Sequence, residues 1–277
     1  MRKIVFWILA VVITAATLIY QRVTGPTYEL RGKTSLPGED IKFELPRSHE
    51  ITSDCEVSVK VSTPEIVGRL LYKRFKTSDS WTEIPLSRRE ESLVGHLPRQ
   101  PMAGKLAYRV LLSNQEKEVS LSGDEPVVIR FKGEVPMAVL VLHVLVIFSS
   151  MLLSTRTGLA VLEGRKNLQR LALATTILLF VGGFILGPLM QKFAFDAWWT
   201  GFPLGKDLTD TKTLAAMVLW IAALVKGRRG KPNRGWVLAA SILTLVVFLI
   251  PHSLLGSELK YTDVPQQENG LSPRPTA

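Results

Sequence analysis

Six residues of this chain are suited by type to chemistry: His143, His252, Asp207, Asp210, Trp198 and Trp199. Two histidines on separate helices can ligate a b-type haem axially or share a metal ion. An aspartate near a membrane surface can act as general base on a lipid-linked substrate. Each group also has an ordinary structural use. Tryptophans collect at bilayer interfaces, and Asp210 or Thr209 at a helix start can cap it, with the dipole favouring the acid. A histidine within an apolar helix can hydrogen-bond a neighbouring helix or an acid such as Asp207. No phosphate-binding loop, dinucleotide fingerprint, GxSxG, HExxH or EF-hand loop occurs. Cys55 is the single cysteine, which excludes an intrachain disulfide, a CxxC redox pair and a zinc knuckle.

The elements that would hold these groups are apolar runs over residues 4–20, 137–153, 171–186, 214–225 and 236–255. A bilayer core takes about 20 apolar helical residues, which four of the runs approach. The fourth run becomes long enough if its helix starts near Asp210 and Lys212 snorkels to the interface. Charge placement fixes an orientation. The net charge is +10, carried by residues 1–3 (+2), 155–170 (+3) and 226–234 (+5). Residues 21–136 hold 18 basic and 17 acidic side chains, and loop 189–212 is neutral. Five alternating spans bring all three basic segments to one side, and short basic loops stay in the cytoplasm. The N-terminus is then cytoplasmic, and residues 27–133, the loop and the C-terminus are extracytoplasmic. This accounts for the high pI without a nucleic-acid partner. An uncleaved anchor is preferred to a cleaved signal peptide at residues 1–24 because no small-x-small site precedes Gln21.

With that orientation, His143, His252, Asp207 and Asp210 fall on one outer rim. The helices also carry stripes that could face one another: His143, Ser150 and Ser154; Ala172, Thr176, Gly183 and Gly187; Ser241, Thr244, Phe248 and His252. Small residues let helices approach closely in lipid, so these faces are expected to pack into a bundle.

Between the first two runs the apolar period is two, the mark of half-buried strands. Cys55, Val57, Val59 and Val61 form one stripe, Ile41, Phe43 and Leu45 another, Leu106, Tyr108, Val110 and Leu112 a third, and Val127, Ile129 and Phe131 a fourth. Turn residues separate them at Pro37-Gly38, Ser53-Asp54, Ala103-Gly104 and Ser122-Gly123-Asp124. Short strands at this spacing predict a β-sandwich. The order Tyr72, then Ser80-Trp81-Thr82, then Leu97-Pro98-Arg99-Gln100-Pro101, then Leu106-Ala107-Tyr108 resembles immunoglobulin-like and fibronectin type III-like domains. That resemblance implies a binding or spacer module.

The sequence therefore predicts a multi-domain membrane protein: a transmembrane bundle of five helices plus one all-β immunoglobulin-like sandwich. Its parts are an anchor at 1–24, the extracytoplasmic sandwich at 27–133, a four-helix domain at 136–256 with outer loop 189–210, and a disordered tail at 257–277. The expected setting is a bacterial cytoplasmic (inner) membrane. The expected role is non-enzymatic, with the sandwich binding a protein partner outside the cytoplasm or capping the bundle. No cofactor is expected. The alternative is a redox subunit that binds haem b or a metal through His143 and His252.

Overall fold

The computed structural model describes residues 2–165, 168–227, 233–251, 256 and 258–261. The chain divides into two compact units, Met1–Pro26 with Val135–Ser257, and Thr27–Glu134 with Glu258–Ala277.

The first unit is helical: α1 (Arg2–Thr24), α2 (Met137–Leu162), α3 (Leu168–Phe180), α4 (Gly187–Phe195), α5 (Leu208–Lys226) and α6 (Arg234–Leu249). A π turn over Val181–Leu186 joins α3 and α4 into one continuous rod. Among the described residues, four helical stretches are long and apolar enough to cross a membrane: Lys3–Thr24, Met137–Leu162, Leu168–Phe195 and Leu208–Lys226. The fifth apolar run is helical over only 16 residues, about 24 Å at 1.5 Å per residue. The apolar run itself continues to residue 255. Pro251 stops the helix earlier by disfavouring helical backbone at the preceding residue, and Ile250 is extended (φ −73°, ψ 121°). At the other extreme α2 outlasts its apolar run by nine residues, through Arg156 to Leu162. It stops at Gly164, whose φ of 74° lets the Arg165 N–H reach the Ala160 carbonyl at 3.1 Å.

The helices pack through their small and polar faces. Ser150, Ser154, Thr175, Thr176, Ser241 and Thr244 are buried, whereas Leu145, Leu173, Ile177, Phe180, Val218, Ile221 and Ile242 are exposed. Ser241 donates to the Ser154 carbonyl (2.6 Å) and Trp220 Nε1 to Thr244 Oγ1 (2.9 Å). A Cβ at Gly158 would stand 2.3 Å from Ser241 Oγ, so only glycine admits α6 against α2 there. α1 belongs to the same unit, with Ala10, Thr14 and Thr17 buried.

The second unit contains β1 (Leu30–Leu36), β2 (Glu39–Leu45), β3 (Ser48–Glu50), β4 (Cys55–Lys60), β5 (Val67–Arg74), β6 (Thr82–Pro85), β7 (Ser87–Arg89), β8 (Ser92–Leu97), β9 (Lys105–Ser113), β10 (Glu118–Ser120) and β11 (Val127–Lys132). One sheet has the order β3-β11-β9-β5-β6, with β10 also on β9; a second is β4-β8-β7; β1 and β2 form a hairpin. All pairs are antiparallel except β3 with β11. The alternation read from sequence places its stripes inward. Ile41, Leu45, Cys55, Val57, Val59, Leu106, Tyr108, Val110, Ile129 and Phe131 share one apolar core with Leu70 and Leu97. The buried Tyr108 keeps its hydroxyl satisfied by donating to the Pro46 carbonyl at 2.8 Å.

Within the segment 257–277 expected as a tail, Glu258–Tyr261 bond to the β unit. Leu259 N–H donates to the Ala103 carbonyl at 3.1 Å, and Tyr261 Oη accepts from Lys105 N–H at 2.9 Å. Residues 262–277 of the expected tail lie outside the described residues.

Candidate functional site

The candidate site lies in the segment that leaves α4 and enters α5. α4 ends where Asp196 takes left-handed backbone (φ 57°). α5 begins at Asp207, an extended residue whose Oδ1 accepts the Thr209 N–H at 2.7 Å. That is an N-cap, which satisfies one of the helix's four unpaired donors. Asp207 Oδ2 accepts from Thr200 Oγ1 at 3.2 Å. Three residues on, Asp210 Oδ2 accepts the N–H groups of Thr200 (2.8 Å) and Gly201 (3.0 Å), and Oδ1 accepts Gln191 Nε2 (2.7 Å). Both aspartates are buried. Thr200 thus sits between the two carboxylates, and one helical turn of α5 binds the loop back onto itself.

Two glycines make this closure possible. A Cβ at Gly201 would lie 2.3 Å from the Asp210 Cβ, and one at Gly205 would lie 2.1 Å from the Thr200 carbonyl oxygen. Backbone bonds complete the loop, Gly205 N–H to the Gly201 carbonyl and Asp207 N–H to the Thr200 carbonyl, each 2.8 Å. Trp199 donates to the Phe202 carbonyl at 3.1 Å and stacks on Phe184 of the π turn at 5.4 Å. Trp198 is 57% exposed.

Lys212 was expected to snorkel outward. It is instead buried and donates to the Ile250 carbonyl at 2.6 Å, with Asp207 as counter-charge. The reason lies at the end of α6, where the last carbonyls lack helical donors and carry the negative end of the dipole.

His143 is in a different neighbourhood. Its Cε1 lies 3.9 Å from where a Gly187 Cβ would be, the Gly182 carbonyl faces its ring, and Nδ1 is buried without a hydrogen-bond partner. His252 lies outside the described residues. Among the described residues, no group of three or more His, Cys, Asp and Glu side chains is placed to hold a metal ion. The structure therefore brings Asp207 and Asp210 together, with their acceptors engaged by the loop's own donors.

Several residues important here had little sequence signal. Gln191 and Thr200 are ordinary polar residues until folding aims them at Asp210. Gly201 and Gly205 flank Pro203, the only local hint of a tight loop. Arg156 looked like a cytoplasmic loop charge. It is fully buried, pairs with Glu163 at 2.8 Å, and lies 5.4 Å from the centre of the Trp7 ring.

No protein-family model matches the chain, and no curated protein matches it at a significant level.

Proposed function

We propose that this chain is an integral membrane protein whose helical unit anchors a β-sandwich outside the cytoplasm, where the sandwich binds a protein partner. The observation that carries the reading is the inverted pattern of the helical unit, with hydroxyl-bearing side chains buried and large aliphatic ones exposed. In water that arrangement would expose far more apolar surface than a soluble domain tolerates. In lipid it is the expected one, because small and polar residues hold helices together there. The basic segments 1–3, 155–170 and 226–234 support the orientation by the positive-inside rule.

The outer loop supports an architectural role over a catalytic one. Asp207 caps a helix and Asp210 gathers two backbone N–H groups and an amide. The β unit offers a better contact surface. Trp81, 37% exposed, has Lys73 Nζ 5.2 Å and the Arg109 guanidinium 5.8 Å from its ring centre. Aromatic and arginine side chains dominate binding hot spots, and this pairing favours a partner that presents acidic side chains.

A photo-crosslinking amino acid at position 81 in intact cells tests the reading. The expected result is a discrete crosslinked protein that disappears with Lys73→Glu/Arg109→Glu. Crosslinking only to lipid, or to many proteins without dependence on those two charges, would count against a protein-binding face.

A further inference from the structure

The segment Glu258–Tyr261 occupies a site on the β unit that is built without it. The wall of that site is a turn closed by Gly104 N–H to the Pro101 carbonyl (2.9 Å), with Phe131 N–H to the Gly104 carbonyl (2.8 Å) and Ala103 N–H to the Phe131 carbonyl (3.0 Å). Its floor is the start of β9, where Phe75 N–H reaches the Lys105 carbonyl (2.9 Å). Its far side is Arg74, fixed by a two-pronged pair with Asp79 at 2.6 and 2.9 Å. None of these bonds involves the tail.

The tail fits this site like a short extended peptide. Tyr261 Oη accepts the Lys105 N–H (2.9 Å) and lies within donor range of the Lys105 carbonyl (2.9 Å) and Gln100 Oε1 (3.1 Å). The Arg74 guanidinium lies 5.2 Å from the centre of its ring. Glu258 meets Lys76 (3.0 Å) and Lys105 (3.2 Å). Leu259 supplies one backbone bond to Ala103. Gly104 is needed for the fit, since a Cβ there would stand 3.1 Å from Tyr261 Oη and 2.8 Å from the Pro101 carbonyl. On the tail's side the contact therefore rests on the Tyr261 side chain and one backbone bond from Leu259, while its ion pairs are partly solvated, a class that contributes little.

We propose that this is a peptide-binding site for an extended segment with an acidic residue three positions before a tyrosine, held here by the chain's own Glu258–Tyr261 as a detachable latch. The preformed turn and the Arg74–Asp79 pair supply the site. Lys76 and Lys105 select the acid, and Arg74 with Gln100 selects the tyrosine. This site has different lining residues from the Trp81 face and does not depend on the role proposed for it.

The test uses the full chain in detergent with Tyr261→Ala and a fluorescent peptide, Gly-Ser-Glu-Leu-Lys-Tyr-Thr, followed by anisotropy. The variant should bind the peptide saturably. The wild type should bind it at least about tenfold more weakly, because a tethered ligand competes at an effective concentration in the millimolar range. Lys105→Glu in the variant should abolish binding, as should a peptide with alanine in place of tyrosine. Equal affinity in wild type and variant, or no saturable binding to the variant, would overturn the proposal. Thiol labelling of the buried Cys55 reports whether the β unit stays folded in the variant. If Cys55 becomes reactive, the tail is an integral structural element and the latch is refuted. Tyr261→Phe, which keeps the ring, should remain folded and bind the peptide with intermediate affinity.

Discussion

Asp210→Ala is the perturbation that best separates an architectural loop from a catalytic one. It removes the acceptor for two backbone N–H groups, at Thr200 and Gly201, and for the Gln191 amide, all within 3.0 Å. A buried donor left without an acceptor costs roughly 1–3 kcal/mol, and partial rescue by water brings the expected total to about 2–4 kcal/mol. Asp210→Asn should behave differently. Its carbonyl can keep the Thr200 and Gly201 donors, and its amide can donate to Gln191 once that side chain flips. The flip costs little because Gln191 Oε1 is buried without a partner. We therefore expect a loss of under about 1 kcal/mol for the asparagine variant, within the range of a single exchanged hydrogen bond. Unfolding of the full chain in mild detergent, followed by tryptophan fluorescence, measures both. Residues held for activity commonly stabilise a protein when removed. An alanine variant as stable as wild type, or more so, would refute the clamp and return Asp210 to the list of ligand-binding candidates.

Three further outcomes follow from the geometry. Arg156→Met leaves the Glu163 carboxylate without its partner and should lower the stability of the helical unit, and adding Glu163→Gln should recover part of the loss in the same unfolding assay. Burial, and then the Glu56 charge, pushes the Cys55 thiol up to about 12, so maleimide labelling at neutral pH should be negligible until denaturant unfolds the β unit. The hydrogen bond from Arg74 holds the Asp79 carboxyl below the usual carboxylate range. Its contribution is complete above the unfolded value, about 4, and is lost as pH falls through the lower folded value; Asp79→Asn should flatten that part of an acid-unfolding profile.

The β unit was the most legible part of the sequence because a strand buried on one face writes its orientation as a period of two. The stripe Cys55, Val57, Val59 is the inward face of β4. Helix packing faces were legible because small and hydroxyl residues recur at helical spacing, as the buried Ser150, Ser154 and Thr176 illustrate. Helix ends were less so. Pro251 was visible, yet the apolar run continuing past it hid the break at Ile250, and Arg156 appeared to end a helix that its pairing with Glu163 allows to continue. The loop clamp could not be read at all beyond its cap. It depends on Thr200, Gly201 and Gln191 meeting Asp210 across the fold, and no local pattern records that. Tyr261 was missed because a polar, proline-containing tail has no periodicity, and its seat depends on a turn at Gly104 far away in sequence.

The central claim is that the helical unit spans a membrane with the β unit outside the cytoplasm. Alkaline phosphatase fusions, active only outside the cytoplasm, test it most directly. The account predicts active fusions after Gly123 and Tyr261 and inactive ones after Lys166 and Arg229. An active fusion after Arg229, or an inactive one after Gly123, would contradict it.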